Sequence, residues 1–514
     1  MSLFRRFSLF AAALFAFYAA ACGGGNSGTT ILPPPPPPPG TTFSNASLNG
    51  QYAFFMAGTD ATCEALLVRA GTFTANGSGT ITGGVEDIND DCIGTGTLQF
   101  TSGSYSIQSD GRGTLHLTNS TGTTNYSISL STTSNGFIIQ QDINDSASGS
   151  FQKQNPAAFS LTSFASGYAF DFSGVDATGV TPESIVGRLT TDGVGGINAG
   201  LFDVNDGGAI LTAQAFNGSY SLDASFPGSG RLLVTAAARN FACYIVDATR
   251  LKCAENSAAE TLGGEVFQQT GGPFSAASLN GPFAFAIGGA SGVGPIATGG
   301  RFNLDGVGNV TTVVLDENNS GTVTSLPSGT VSGTYTVDAS GLGRGTVSVT
   351  DTSKGSFTFT FYLVAPTRAV IAETDSGIVS DGNVFGQTGS TINAALVNGD
   401  YSFNWTGVDI NGEQDFSGAL VLSNASPSMV TGTTDFNELA DVAGKEQLFF
   451  NIPTTATLTF GASPAGRNAL PTSVAIPGTP VAISFNAYFV DGNTFLVVAV
   501  DGGHVTAGIV VRQP

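Results

Sequence analysis

The sequence predicts an all-β chain built from four tandem eight-stranded antiparallel β-barrel-like modules. Three observations predict it. Landmark residues recur four times, in the same order, with a period of roughly 115 residues. Inside each period apolar and polar residues alternate with period two, interrupted by glycine turns. Glycine (70) and Phe (38) abound while charged residues make up only 11% of the chain, so Lys- and Glu-rich helical patterning is absent.

Each copy opens on a glycine followed by alternating aromatics: Gly50-Gln51-Tyr52-Ala53-Phe54, Gly167-Tyr168-Ala169-Phe170, Gly281-Pro282-Phe283-Ala284-Phe285 and Gly399-Asp400-Tyr401-Ser402-Phe403. Each closes on a glycine five residues before a glutamine: Gly149/Gln154, Gly264/Gln269, Gly382/Gln387 and Gly508/Gln513. Between them recur Asp-x-Asn (Asp87/Asn89, Asp203/Asn205, Asp316/Asn318, Asp435/Asn437) and an arginine at a turn (Arg112, Arg231, Arg344, Arg467). A Gly-Ser/Thr-Tyr strand opening ends on Tyr105, Tyr220 and Tyr335 and is lost in the divergent fourth copy.

Residues 1–21 read as an export signal. Arg5 and Arg6 precede an apolar run from Phe7 to Tyr18, which ends in Ala19-Ala20-Ala21 before Cys22. The run is shorter than the roughly 20 residues a spanning helix needs. Ala-Ala-Ala-Cys resembles the lipobox of bacterial lipoproteins, with alanine where leucine is usual. The resemblance implies cleavage before Cys22 and diacylglycerol on its thiol, hence membrane attachment through this residue. Gly23, rather than aspartate, follows the cysteine, which favours the outer membrane or cell surface over retention at the inner membrane. Residues 22–42 read as anchor and tether, with Pro33 to Pro39 forming a polyproline II spacer of roughly 20 Å.

Module 1 (43–156) reads as strands near 50–57, 66–75, 79–87, 97–108, 113–119, 124–131, 136–142 and 149–154. Turn signals at Asn76-Gly77, Asp110-Gly111 and Asn135-Gly136 separate them. Modules 2 (157–272), 3 (273–390) and 4 (391–514) repeat the layout. Eight short strands joined by hairpins suit an up-and-down barrel in which the first and last strands pair. The layout resembles avidin-like and lipocalin-like barrels in topology alone. Immunoglobulin-like β-sandwiches are the alternative. The alternating aromatics of the first strands point inward, where they fill the barrel or line a small cavity.

Removing Arg5 and Arg6 leaves 15 basic against 38 acidic residues, a net charge near −23. Such a surface repels phosphate backbones and anionic headgroups, so no nucleic acid is expected as partner. With Cys22 lipidated, Cys63, Cys92, Cys243 and Cys253 remain, and proximity pairs them as Cys63–Cys92 and Cys243–Cys253 in an oxidising compartment.

In a meander the odd-numbered connections share one end of the barrel. Acidic residues gather there, and Asp60, Asp87, Asp90 and Asp142 form a candidate oxygen-only site for Ca2+ in module 1. The same residue types also cap turns through their own backbones. The two histidines, His116 and His504, do not recur among the copies. Nucleophile-elbow, zinc and phosphate-loop motifs are absent from the sequence. The reading is therefore a non-enzymatic lipoprotein of the bacterial envelope whose repeated modules serve binding, adhesion or envelope structure, toward a surface protein or polysaccharide. A carrier of a small apolar ligand in the barrel interiors is the alternative, and a carbohydrate-acting enzyme the third.

Overall fold

A computed structural model describes residues 42–514, apart from 258–259, 328, 330, 352–354, 389–391, 441–444, 462–466 and 476–480, and apart from the side chains of 439, 440, 445 and 446. The export signal, Cys22 and the proline tether lie outside the described residues.

The chain forms four closed eight-stranded antiparallel barrels. In barrel 1 the strands run from Asn49–Asp60 and Ala65–Asn76 to Asp145–Lys153. The other barrels begin at Gly167–Val175, Asn280–Ser291 and Gly399–Val408. Closure is direct: Tyr52 pairs with Lys153, Tyr168 with Gln268, Phe283 with Gly386 and Tyr401 with Arg512. First and last strands of a sandwich would not pair this way, so the immunoglobulin-like alternative is set aside. The fourth strand of barrels 1 and 3 departs from the expected single segment. It splits into Gly94–Phe100 and Ser102–Ile107 in one, and Thr322–Leu326 and Val331–Val337 in the other, each half pairing with the third strand.

The closing glycine of the repeat sits where the last strand crosses the first. A Cβ on Gly149 would lie 1.9 Å from the Phe55 carbonyl oxygen, and one on Gly264 1.9 Å from that of Asp171. Interiors hold the alternating aromatics: Tyr52 stacks on Phe73 at 5.5 Å, Phe170 on Phe172 at 5.2 Å and Phe403 on Trp405 at 4.1 Å. A short helical turn before each first strand plugs one end of its barrel. In the first three, the hydroxyls of Tyr105, Tyr220 and Tyr335 donate to the plug's carbonyls at Leu48, Phe164 and Leu279. In the fourth the Tyr401 hydroxyl donates to Val397 instead.

The barrels stand side by side and close into a ring of four. Each module meets the next through the same three landmarks. The first is the arginine: Arg231 Nη2 donates to Asp87 at 2.6 Å, Arg344 Nη2 to Asp203 at 2.6 Å and Arg467 Nε to Asp316 at 2.7 Å. Arg112 of module 1 returns to Asp435 of module 4 at 3.7 Å. The second is the asparagine, which donates into the next module's seventh connection or its flank: Asn89 to Glu260 O, Asn205 to Ile378 O, Asn318 to His504 O and Asn437 to Gln140 O. The third is the closing glutamine, donating to Ile245, Leu363, Phe489 and Leu130 carbonyls of the next module. A head-to-tail contact of this kind yields either a filament or a ring, and here the rotation closes after four. All odd-numbered connections therefore lie on one face of the ring, and the plugged ends on the other.

Apolar clusters seal three of the joints. Phe55, Leu66 and Val68 pack on Tyr244 and Val246; Val186 and Phe267 on Tyr362 and Val370; Ala286 and Phe385 on Tyr488 and Ile509. The joint between modules 4 and 1 is polar, with Ser146 donating to Asp415 at 2.7 Å, Ser129 facing Ser417 at 2.8 Å and Thr59 bonded to Glu413.

Candidate functional site

Two regions can hold a ligand: the acidic face made by the odd connections, and the barrel interiors. In module 1 the disulfide Cys63–Cys92 staples the first connection to the third across 6.3 Å between Cα atoms. It draws Asp60 and Asp90 together within one cluster. Asp60 Oδ1 accepts from the Thr62 amide at 2.7 Å, and Asp90 Oδ1 from the Cys92 amide at 2.7 Å, so each carboxylate caps its own turn. Burial, with repulsion from Asp60 and Asp145, pushes Asp90 up to about 6.

The other two expected ligands stand elsewhere. Asp142 accepts from the Asn125 amide and its side chain, and burial raises its pKa. Asp87 is buried in the joint with module 2, where Arg231, Thr97 and the Tyr244 hydroxyl surround it. The structure thus brings two of the four residues together. The cysteines beside them are bound in the disulfide. Two carboxylates that already satisfy backbone amides fall short of the six to eight oxygens calcium takes.

The second disulfide, Cys243–Cys253, joins directly opposed residues of the hairpin Arg239–Asp247 and Arg250–Glu255, with Cα atoms 4.0 Å apart. Its sulfurs face the interior of barrel 2. Tyr168, Phe172, Phe241 and Cys243 there border a cavity of about 70 Å³. Barrel 3 holds one of about 80 Å³ among Phe285, Phe302, Phe359 and Ile371. Buried rings also pack inside barrels 1 and 4, including Tyr126 in one and Trp405, Phe436 and Phe485 in the other. Sequence alternation marked the first-strand aromatics among these, Tyr168, Phe172, Phe285 and Trp405, as inward-facing. It could not distinguish a filled interior from a cavity, because that depends on how rings from eight strands meet.

The polar centre of the molecule was not anticipated from the sequence. Where modules 1, 2 and 3 meet, Lys252 donates to Ser150 at 2.9 Å and pairs with Glu265, which Arg250 also binds. Beside them Arg368 lies over the Phe267 ring at 4.0 Å. Desolvation lowers Lys252 to about 8, while the two cations hold Glu265 below its ordinary range. The sequence signal was available: strands with apolar alternation carry charged residues at outward positions, as a solvent-facing strand would, and only the ring makes those positions interior.

No protein-family model matches the chain, and no curated protein matches it. Among solved structures it is similar to transferrin binding protein B from serogroup B Neisseria meningitidis, with 8% identity over 73% of this chain and 83% of that one, at a TM-score of 0.21. The counterpart from Haemophilus parasuis gives 8% identity over 73% and 84%, at 0.19. A DUF3598-family protein of unknown function from Nostoc punctiforme gives 9% identity over 46% and 96%, at 0.15. Superpositions this loose carry no argument about what the chain binds.

Proposed function

We propose that the chain is a lipid-anchored protein of the bacterial envelope whose ring of four barrels is a rigid, non-catalytic platform for binding a surface protein or polysaccharide. The observation that supports this reading is where the recurring polar residues go. The Asp-x-Asn, arginine and glutamine landmarks form the joints between modules. What repeats is therefore a means of assembly, and the residues free to differ between copies are in the connections on the two faces. Phe43 packs at the plugged end of barrel 1, so an anchor at Cys22 would hold that face toward the membrane and the odd connections away from it. Exposed apolar tips there, Ile93 and Ile410 among them, offer contact points.

Cys22→Ser tests the anchor: the variant should lose fatty-acid labelling and leave the membrane fraction. Labelling identical to wild type would overturn the lipoprotein reading. On intact cells, Ile410→Cys in the full chain should react with a membrane-impermeant maleimide. Reaction only after the outer membrane is permeabilised would move the platform to the periplasm. The carrier reading is supported by the cavities of barrels 2 and 3. At about 70 and 80 Å³ they suit a very small ligand, well under the roughly 150 Å³ of an engineered cavity that takes benzene.

A further inference from the structure

One position on the second strand of each module sets the charge of the joint to the next. Register against the first strand makes Thr72, Arg188, Arg301 and Ala419 equivalent, since they pair with Ala53, Ala169, Ala284 and Ser402. All four point out of their barrels, because the residues that follow them, Phe73, Leu189, Phe302 and Leu420, point in. Two positions earlier on the same face, Val186 packs with Tyr362 and Val370 of module 3, and a Cβ on Gly299 would lie 2.3 Å from the Val498 side chain of module 4. Arg188 and Arg301 therefore lie in the joints on either side of module 3, where they are 4% and 5% exposed.

The other arginines buried this deeply are paired: Arg69 with Glu86 and Asp145, Arg112 with Asp110, Arg231 with Asp87 and Asp223, and Arg250 with Glu265. Arg188 and Arg301 have no carboxylate partner among the described residues. Arg188 donates through Nη2 to Thr190 Oγ1, and its buried Nε has no hydrogen-bond partner there. Arg301 donates from Nε to Gln387 Oε1 at 3.2 Å and from Nη2 to Asn303 Oδ1 at 2.7 Å, both neutral. The recurring carboxylate of each joint is already engaged: Asp203 by Arg344, Tyr362 and the Ala213 amide, Asp316 by Arg467, Asn486 and Tyr488. The carboxylates outside the described residues, those of Asp441 and Glu446, border the third connection of barrel 4. The strand that leads into it faces module 1 through Asp435 and Asn437, away from both arginines. Burial accordingly lowers the pKa of each guanidinium. A charge taken out of water without a counter-charge is strongly destabilising, and so calls for one.

We propose that the two joints of module 3 each bind a small monovalent anion of chloride's size, held by Arg188 in one and by Arg301 in the other. The donors left for it are Nε and Nη1 of Arg188 and Nη1 of Arg301. Guanidiniums so deeply covered admit a bare ion more readily than a bulky oxyanion or a lipid headgroup. Barrel 1 holds the uncharged alternative: the Thr72 hydroxyl donates to Gln154 Oε1 at 2.6 Å, the same closing glutamine that Arg301 meets as Gln387, and no counterion is needed. The inference rests on these joints alone and is independent of the anchor and of what the outward face binds.

Thermal melting of the full chain tests it, with sodium chloride exchanged for sodium gluconate at constant ionic strength. The quantity read is the chloride-minus-gluconate difference in melting temperature, compared with that of the double variant Arg188→Thr, Arg301→Thr, which copies barrel 1. An ion bound only by the folded chain stabilises it, so the wild-type difference should exceed the variant's by about 1–2 °C and saturate with chloride. Each single variant should keep roughly half of that excess. In gluconate the variants should be at least as stable as wild type, because a bare buried charge is gone. Chloride-35 line broadening by the wild-type chain gives a measure that needs no variant: it should be saturable, displaced by bromide and left in place by an equal concentration of phosphate. Equal chloride responses in wild type and double variant, absence of saturable broadening, or displacement by phosphate as effective as by bromide would each overturn the proposal.

Discussion

Asp87 illustrates how a residue type can be legible while its role is not. Its recurrence in all four copies, always two residues before an asparagine, was evident in the sequence. A single module read by itself places it near the acidic connections; only the neighbouring barrel brings Arg231 and Tyr244 onto it. A carboxylate and an arginine that both recur at fixed positions are the signal for such a joint. Asp87→Asn should cost about 3 kcal/mol, because it leaves a buried guanidinium short of charge. The loss should be the same in EDTA and in millimolar calcium; a loss confined to calcium-containing buffer would restore Asp87 to a cation site.

The same scale sets the pH dependence. Burial pushes Glu373 up to about 8, and Glu255 and Asp171 to about 7. A carboxyl raised on folding binds more protons in the folded state between its unfolded and folded values, so stability falls as pH rises through that window. Glu265, held low by Arg250 and Lys252, acts oppositely: its stabilisation is present above its unfolded value and is lost as pH falls below it. Melting temperature should peak near pH 5 and decline toward pH 8, and Glu373→Gln should flatten part of the decline. A melting temperature that climbs from pH 5 to 8 would contradict these assignments.

At the scale of elements, period two and glycine turns placed the strands of module 1 within a few residues, since both signals are local. The hairpin carrying Cys243 and Cys253 was legible for the same reason: symmetry about Ala248 makes the two residues partners. Replacing both with serine should cost about 2–3 kcal/mol, the amount expected for so short a closed loop. Non-reducing peptide maps should recover Cys243 joined to Cys253, and a map joining Cys63 to Cys243 would break the module boundary. The break at Thr101, where the fourth strand of barrel 1 divides, was not legible. Its cause is the third strand, which pairs with Gly94–Phe100 at one end and with Ser102–Ile107 at the other. Nor were the plugs. Tyr105, Tyr220 and Tyr335 were visible as a motif, but their hydroxyl partners lie more than fifty residues upstream.

At the scale of the molecule, three joints are alike and the fourth is not. The ring closes where module 4 meets module 1, the one arginine–aspartate joint among the described residues between modules that are not consecutive in sequence. There the arginine–aspartate distance is 3.7 Å, against 2.6–2.7 Å elsewhere. The tyrosine that completes the other joints, Tyr244, Tyr362 or Tyr488, is Ser129 in module 1, whose place opposite Arg112 matches that of Tyr244 opposite Arg231. Hydroxyls and amides replace the apolar clusters, and burying polar pairs stabilises far less than burying rings of the same area. Closure of a ring through its weakest joint leaves a defined place for opening. Hydrogen exchange in sub-denaturing urea should therefore release amides of Glu413–Leu422 and Asp145–Lys153 at the joint before those of Ala65–Asn76, which face module 2 across the apolar cluster. Gln513→Ala removes two bonds that the last strand makes to Asp110 and Leu130 carbonyls, so it should speed that exchange severalfold and leave the other joints unchanged. Uniform release at all four joints would mean that the ring opens as one unit, and that the polar contact is as firm as the apolar ones.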